Sequence, residues 1–571
     1  MTFLKYTLAL LPFFIYYIYR RIHWARFVQF KDFPQPPTDL IWGHLKVIND
    51  VVNDPTQNPG RHSDYFMYEL VKRAGYPSML ILDPRPLNYP ICIVTNHIVA
   101  EQLSRPTPEF KYGVPKSPTF SEMIPLIGKQ SLLIMEGERW RGLRRKFNPG
   151  FAPAHLMTLL PKILEKTSYF IKRLDKLVDN GQVVQMDAVC VDLTFDIIGS
   201  VVLDVDLNAQ LLGLGIQGAE EDPILKSMRY LLAAFENANP IAELSPVRKL
   251  SQWWRGKGYD KAIKNAIMTK AAEIKNLKHS SYGEKSRSEK GRSVLALALQ
   301  DHDEEELNPV LLQEIADQIK TFIFAGHDTT SSTLQWAFYE LSRSPNALSR
   351  LCNELDEVLG KNTDPKAIAD TLLARGEEAL QRLTYLSAVI KETLRLYPAA
   401  SAARMSPKGS NFYIRADGQQ WCVDGIMMYN SHFIIGRNSN IYGADAEYFV
   451  PERWLGDVDT SEKTNIYQDS EKGTIQDDKK IPPAAWRPFE RGPRSCIGQE
   501  LANLEARVIL ALTVRRYSFE KVGMGALDLR GDEGKPILNE MGQYKTVSEM
   551  VNRRQITSKP LDGMLMKIYI R

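Results

Sequence analysis

One cysteine carries the densest chemical signal in this 571-residue chain. Cys496 lies in Pro488-Phe489-Glu490-Arg491-Gly492-Pro493-Arg494-Ser495-Cys496-Ile497-Gly498, with an aromatic seven residues before it and an arginine two before it. From Gln499 to Leu512 the chain has apolar residues at helical spacing. A thiolate just ahead of a helix N-terminus is stabilised by backbone N–H groups and by the positive end of the helix dipole. Gly492 and Gly498 permit tight turns and close backbone approach to a large flat ligand. Together these are the requirements for one soft anionic ligand on a haem iron. A buried cysteine beside a turn is the competing reading.

A second group of residues could move protons. Ala325-Gly326-His327-Asp328-Thr329-Thr330 interrupts a long apolar helical pattern. Gly326 weakens the helix, and Thr329 can bond back to the carbonyl of Ala325, four residues earlier. The spacing therefore predicts a local kink with a groove for a small molecule. An acid beside a hydroxyl suits a relay, with Asp328 taking protons from solvent and Thr329 holding bound water or oxygen. Internal hydrogen bonding of a buried polar step is the alternative. Two further pairs lie at helical spacing: Trp140 with Arg144, and Glu392 with Arg395.

The elements that must position these residues are mostly helical. Segments 154–179, 223–237, 258–277, 309–343, 345–359 and 379–397 have apolar residues at helical spacing. Strand-like runs are few: Met79 to Leu82, Ile91 to Val94, Phe412 to Ile414, Ile426 to Tyr429 and Leu565 to Ile570. The fold class expected is mainly α with small β-sheets, preceded by one N-terminal transmembrane helix. Thr2 to Tyr19 is apolar or aromatic apart from Lys5 and its few polar residues, and Arg20, Arg21, Arg26 and Lys31 follow it. Phe33-Pro34-Gln35-Pro36-Pro37 reads as a stiff spacer. The expected organisation is a membrane anchor at 1–21 (spanning about 2–19), a basic and proline-rich hinge at 22–40 and a catalytic domain at 41–571. His279 to Ser293 and Asp457 to Lys480 read as solvated connections.

Composition narrows the function. Apolar residues make up 44% and charged residues 25%, with a net charge of +4, which gives no argument for nucleic acid. The five cysteines (Cys92, Cys190, Cys352, Cys422, Cys496) are scattered, which fits neither a zinc nor an iron–sulfur site nor a disulfide framework.

The cysteine loop resembles the haem-binding signature of the cytochrome P450 family, Phe-x-x-Gly-x-Arg-x-Cys-x-Gly, at Phe489, Gly492, Arg494, Cys496 and Gly498. The likeness extends to Trp140-x-x-x-Arg144, to Ala325-Gly326-His327-Asp328-Thr329, and to Glu392-x-x-Arg395 with Pro451-Glu452-Arg453. It implies the cytochrome P450 fold and haem b (iron protoporphyrin IX). Cys496 would be the axial iron ligand, and Phe489 would shield its sulfur. Arg494, Trp140, Arg144 and Arg404 would hold haem propionates. Asp328 and Thr329 would support proton delivery for O–O cleavage, with His327 at the free position between motif residues. Glu392, Arg395 and Arg453 would form a buried structural triad.

The implied activity is insertion of one oxygen atom from O2 into a small apolar organic substrate. Electrons would come from NADPH through a separate NADPH–cytochrome P450 reductase, with or without cytochrome b5, since no dinucleotide-binding glycine motif follows a strand. The crowded basic residues Arg139, Arg141, Arg144, Arg145 and Lys146 suit an acidic redox partner or a merely solvated face. The implied location is the endoplasmic reticulum membrane, with the body facing the cytosol. The lead-in at 484–490 and Ser401-Ala402-Ala403-Arg404 resemble fungal members that tailor secondary metabolites. Segments Lys111 to Leu133 and Leu225 to Trp254 are expected to set the substrate. Two rival readings are a haem-thiolate isomerase or dehydratase that works without O2, and a non-catalytic haem sensor or carrier.

Overall fold

A computed structural model describes residues 2–235, 245–279, 293–299, 307–456 and 481–571, with side chains left out at 2–9, 277–279 and 554. The longer helices, in chain order, are α1 (Thr2–His23), α2 (Gly137–Phe147), α3 (Leu160–Asn180), α4 (Met186–Ile198), α5 (Pro223–Leu232), α6 (Pro246–His279), α7 (Pro309–Arg343), α8 (Pro345–Leu359), α9 (Pro365–Arg382), α10 (Thr384–Leu396) and α11 (Gln499–Thr513). The strands are β1 (Met79–Leu82), β2 (Ile91–Val94), β3 (Val184–Gln185), β4 (Ala402–Arg404), β5 (Tyr413–Ala416), β6 (Gln419–Cys422), β7 (Met427–Asn430), β8 (Tyr517–Lys521), β9 (Asn552–Arg554), β10 (Ser558–Pro560) and β11 (Leu565–Ile570). The protein is mainly helical with small sheets, as its periodicity predicts.

The chain divides into two compact units. The first comprises 1–118, 401–438 and 490–495, and the second 119–400, 439–489 and 496–571. In the first unit a four-stranded sheet runs β1-β2-β7-β4, with β2 and β7 parallel and the other pairs antiparallel. All four residues of β1 are buried, so this strand reads as a continuous apolar run rather than an alternating one. The segment expected as a hinge makes specific contacts inside this unit. Arg26 is buried and pairs with Asp83 at 2.6 Å, Ile81 N–H donates to the Pro34 carbonyl, and Phe33 meets Trp421 with ring centroids 4.5 Å apart.

In the second unit α7 is the central element. It packs on α4, α6, α10 and α11, and most residues from Ile315 to Leu341 are buried. Asn308 caps it, accepting from the N–H groups of Val310 and Leu311, with Pro309 in the first turn, where its missing N–H costs nothing. Sheet β3-β11-β8 and hairpin β9-β10 complete this unit.

Several expectations change in detail. The helix expected over 154–179 is two helices, because Pro161 suits only a first turn and α3 starts afresh at Leu160. The one expected over 379–397 breaks at Leu383 (φ −79°, ψ 68°). Every residue of α7 is helical, so the helix runs unbroken through Gly326. A Cβ on Gly326 would lie 2.5 Å from Ile198 Cδ1, so this glycine serves close packing of α7 on α4.

The N-terminal helix forms, but a spanning helix is not shown. Among the described residues no helix is long and apolar enough to cross a membrane. The connections expected at His279 to Ser293 and Asp457 to Lys480 fall almost wholly outside the described residues, as do residues 236–244 of the second expected substrate segment.

Candidate active site

Cys496 stands three residues ahead of the first residue of α11, and its side chain is exposed. Its N–H donates to the carbonyl of Phe489 at 2.8 Å, closing the turn that presents the thiol. A Cβ on Gly498 would lie 4.0 Å from the Cys496 Sγ, an ordinary van der Waals contact, so the glycine adjoins the sulfur without being required by it. Phe489 is half-buried and tilts against Trp486 with centroids 5.8 Å apart, and the Trp486 indole donates to the Lys391 carbonyl.

α2 places Trp140 and Arg144 one turn apart, as their spacing predicts. Trp140 is buried, and Arg144 is partly buried with its Nε donating to Asn148 Oδ1 at 2.8 Å. Phe147, on the same helix, packs edge-on against Phe322 of α7 at 5.3 Å. Burial lowers the Arg144 pKa, and the nearby Cys496 sulfur works the other way by favouring the cation. The cysteine and this arginine are therefore brought together electrostatically, although 352 residues separate them. Arg139, Arg141 and Arg145 are exposed on the same helix.

Thr329 donates to the Ala325 carbonyl at 2.8 Å, the back-bond expected of it. His327 is buried, stacks on Phe195 of α4 with centroids 3.9 Å apart, and has Nδ1 2.8 Å from the Ile323 carbonyl oxygen. Burial pushes its pKa down to about 4, so it is a neutral packing residue at neutral pH. Asp328 is buried beside Lys559, whose Nζ lies 2.6 Å from Oδ1, and it accepts from the Thr557 hydroxyl through Oδ2. Burial alone would raise the carboxyl pKa. The Lys559 ammonium outweighs burial and holds it below its ordinary value.

Glu392 and Arg395 form a fully buried fork, with Arg395 Nε and Nη2 donating to the two carboxylate oxygens at 2.8 and 2.7 Å. Glu392 also accepts from Arg453 Nε, the Trp454 indole and the Val450 N–H, each at 2.9 Å. Burial pushes this carboxyl up, yet the two guanidiniums outweigh it and leave the pKa below its ordinary 4.5.

In the first unit Arg404 is fully buried on β4, with one Nη donating to the Val114 carbonyl at 2.8 Å. Arg494 is also buried. Gly492 has φ +74°, and a Cβ there would lie 2.2 Å from the Ser104 carbonyl oxygen, so no larger residue fits. Glu490 adopts φ +55° and accepts from the Ser104 hydroxyl at 2.9 Å, a conformation no motif announces. Sequence reasoning also misses Thr557, Lys559 and Trp454. Trp454 adjoins the Pro-Glu-Arg segment and could have been read from it, whereas Lys559 and Thr557 have no local signal.

These donors fit a haem. A macrocycle brings its own nitrogen ligands and asks the protein for one axial donor, which an exposed thiol near a guanidinium supplies. Among the described residues no group of three or more His, Cys, Asp or Glu stands together as a bare-ion site.

Known proteins agree. Residues 77–530 match the family model described as Cytochrome P450. The chain is 32% identical over 501 residues to cytochrome P450 monooxygenase acrF of Aspergillus aculeatus, covering 86% of this chain and 94% of the relative. It is 29% identical over 519 residues to cytochrome P450 monooxygenase polC of Polytolypa hystricis, covering 88% and 84%. The solved cytochrome P450DA heme domain superposes with a TM-score of 0.66 at 17% identity, over 94% of this chain and 97% of that one, which shows the fold. This chain belongs to the cytochrome P450 family and is a haem-thiolate monooxygenase.

Proposed function

We propose that the enzyme inserts one oxygen atom from O2 into a small apolar organic substrate, with Cys496 as the axial ligand of the haem iron. The observation that carries this reading is the exposed Cys496 thiol at the head of α11, within electrostatic reach of Arg144. When bound, haem supplies the iron that activates oxygen. Cys496 would donate the anionic sulfur, with Phe489 excluding water from it. Trp140 and Arg144 would bind propionate, as would Arg404 and Arg494, assigned from the motifs they occupy. Thr329 would hold a water molecule on α7, and Asp328 would pass protons toward it.

Electrons reach the enzyme from NADPH through a separate cytochrome P450 reductase. The exposed arginines 139, 141 and 145 suit its acidic surface. The exposed apolar residues of α1, among them Phe13 at 73% and Leu10 at 65%, support attachment to the endoplasmic reticulum membrane with the body in the cytosol. The relatives from Aspergillus and Polytolypa support a tailoring step in fungal secondary metabolism, an associational argument.

Cys496→Ser tests the ligand. It should abolish the thiolate-specific absorption band of the reduced carbon monoxide complex and the activity with it, and persistence of that band would refute the assignment. Substrate-dependent NADPH consumption with added reductase separates this reading from an O2-independent isomerase and from a haem carrier.

A further inference from the structure

Asp328 is the innermost member of a file of charged groups that leads toward solvent. Lys559 Nζ lies 2.6 Å from Asp328 Oδ1 and 3.5 Å from Asp187 Oδ1. Asp187 Oδ2 lies 3.6 Å from an Nη of Arg553, and its Oδ1 accepts from Gln335 Nε2 at 3.0 Å. Side-chain exposure rises along this file, from 9% at Asp328 and Lys559 to 16% at Asp187 and 35% at Arg553. His327 Nε2 lies 3.8 Å from Asp328 Oδ1, and the buried Cys190 thiol is within electrostatic reach of Asp187.

The hairpin makes the arrangement costly unless the carboxylates are kept. Lys559 and Arg553 are directly opposed across β9 and β10, where like charges repel. Asp187 of α4 lies between them and Asp328 of α7 lies behind Lys559, so two carboxylates offset the two cations. A lysine in this place also differs from an arginine, because an ammonium can give up a proton and a guanidinium cannot. In the resting pair the proton stays on nitrogen, so Asp328 has none of its own to give. Burial disfavours both charges, but their mutual attraction outweighs it and holds the carboxyl below and the ammonium above its ordinary pKa, so the proton leaves the nitrogen only when Asp328 can pass one on.

We propose that Lys559 is a positioning residue that holds the proton destined for Asp328, and that Asp187 is the point where this proton is exchanged with solvent. The inference rests on the reading of Asp328 as the last protein donor. An N–H bond of Lys559 breaks as an O–H bond forms on Asp328. Asp328 then releases a proton to water held at the Thr329 hydroxyl. The neutral amine regains a proton from the Asp187 carboxyl, which takes one from solvent. No electrons move, and water is the only co-reactant.

The test uses the haem-loaded full chain with cytochrome P450 reductase and NADPH, without added substrate. Peroxide released per NADPH and the rate ratio in H2O and D2O are measured for wild type, Asp328→Asn, Lys559→Gln, Lys559→Arg and Asp187→Asn. Infrared spectra of the same holoenzymes, with isotope-labelled aspartate, follow the carboxyl protonation. Lys559→Gln is expected to raise the peroxide yield severalfold, slow NADPH turnover about tenfold or more, and enlarge the isotope effect. Lys559→Arg should restore the ionised Asp328 band without restoring turnover. Asp187→Asn should enlarge the isotope effect with a smaller loss of rate.

If Asp328→Asn behaves as wild type, the reading of Asp328 itself fails. If Asp328→Asn is defective while Lys559→Gln and Asp187→Asn match wild type, only the present inference is overturned. A peroxide yield that falls in Lys559→Gln would make the lysine a restraint and overturn it too. Should Lys559→Gln fail to fold, Asp187→Asn decides, since a merely structural residue would leave the isotope effect unmoved.

Discussion

Two carboxylates of the second unit, Glu392 and Asp328, are buried against cations and held below their ordinary pKa. Glu392 faces two guanidiniums and takes five hydrogen bonds from groups in or beside its own motifs. Asp328 faces one ammonium and a hydroxyl, contributed by residues more than 220 positions away. Guanidiniums stay charged, so the Glu392 cluster can only be a brace. An ammonium can exchange its proton, so the Asp328 cluster can change state without unfolding. The choice of cation separates a cluster that cannot give up a proton from one that can. Glu505, on α11, is a third buried carboxylate, and burial lifts it to about 8.

Substitutions should rank these three sites. The largest effect is expected for Glu392→Ala, which leaves Arg395 and Arg453 buried without counter-charge and should cost about 3–5 kcal/mol. Thermal or denaturant unfolding of the purified chain measures it, and an unchanged midpoint would remove the brace from this account. Asp328→Asn keeps the shape and should cost about 1–3 kcal/mol.

The pH dependence checks the same pair. A depressed carboxyl contributes stability above its ordinary value of 3.8 that is lost as pH falls through the folded-state value. The wild type should therefore lose more stability on acidification than Asp328→Asn, and superimposable acid limbs would show that the pairing carries no weight.

Glu505→Gln should change stability with the opposite sign, and only at higher pH. Between its ordinary 4.5 and about 8 the folded state keeps a proton that the unfolded chain has released, so stability falls as pH rises. The glutamine variant should remove that slope and melt a few degrees higher above about pH 8. A wild-type slope retained in the variant would place its origin elsewhere.

These contrasts follow what was legible in the chain. The Thr329 back-bond, the Glu392–Arg395–Arg453 triad and the strands at Met79–Leu82 and Leu565–Ile570 were readable, because each depends on residues close in sequence or on a motif. Lys559 and Thr557 were not, because their only signal is the fold that carries a distant hairpin to α7. Gly326 was read as weakening the helix toward a local kink, whereas its missing Cβ makes room for Ile198. The boundary at Pro161 was missed because apolar spacing continues across it.

The hairpin that supplies the counter-charge also limits how the gene can be altered. Thr557 and Lys559, two residues apart, both reach Asp328, while the intervening Ser558 accepts from Ser332 through its carbonyl and donates its N–H to Ala399. A strand repeats every two residues, so inserting or deleting one residue between Arg554 and Thr557 would exchange these roles. A deletion would bring Ser558 and Pro560 to the carboxylate, an insertion would put Ser558 in the place of Lys559, and in either case the ammonium would turn away. Length in this turn is therefore as strictly specified as sequence, and alignments or chimaeras should be joined outside it.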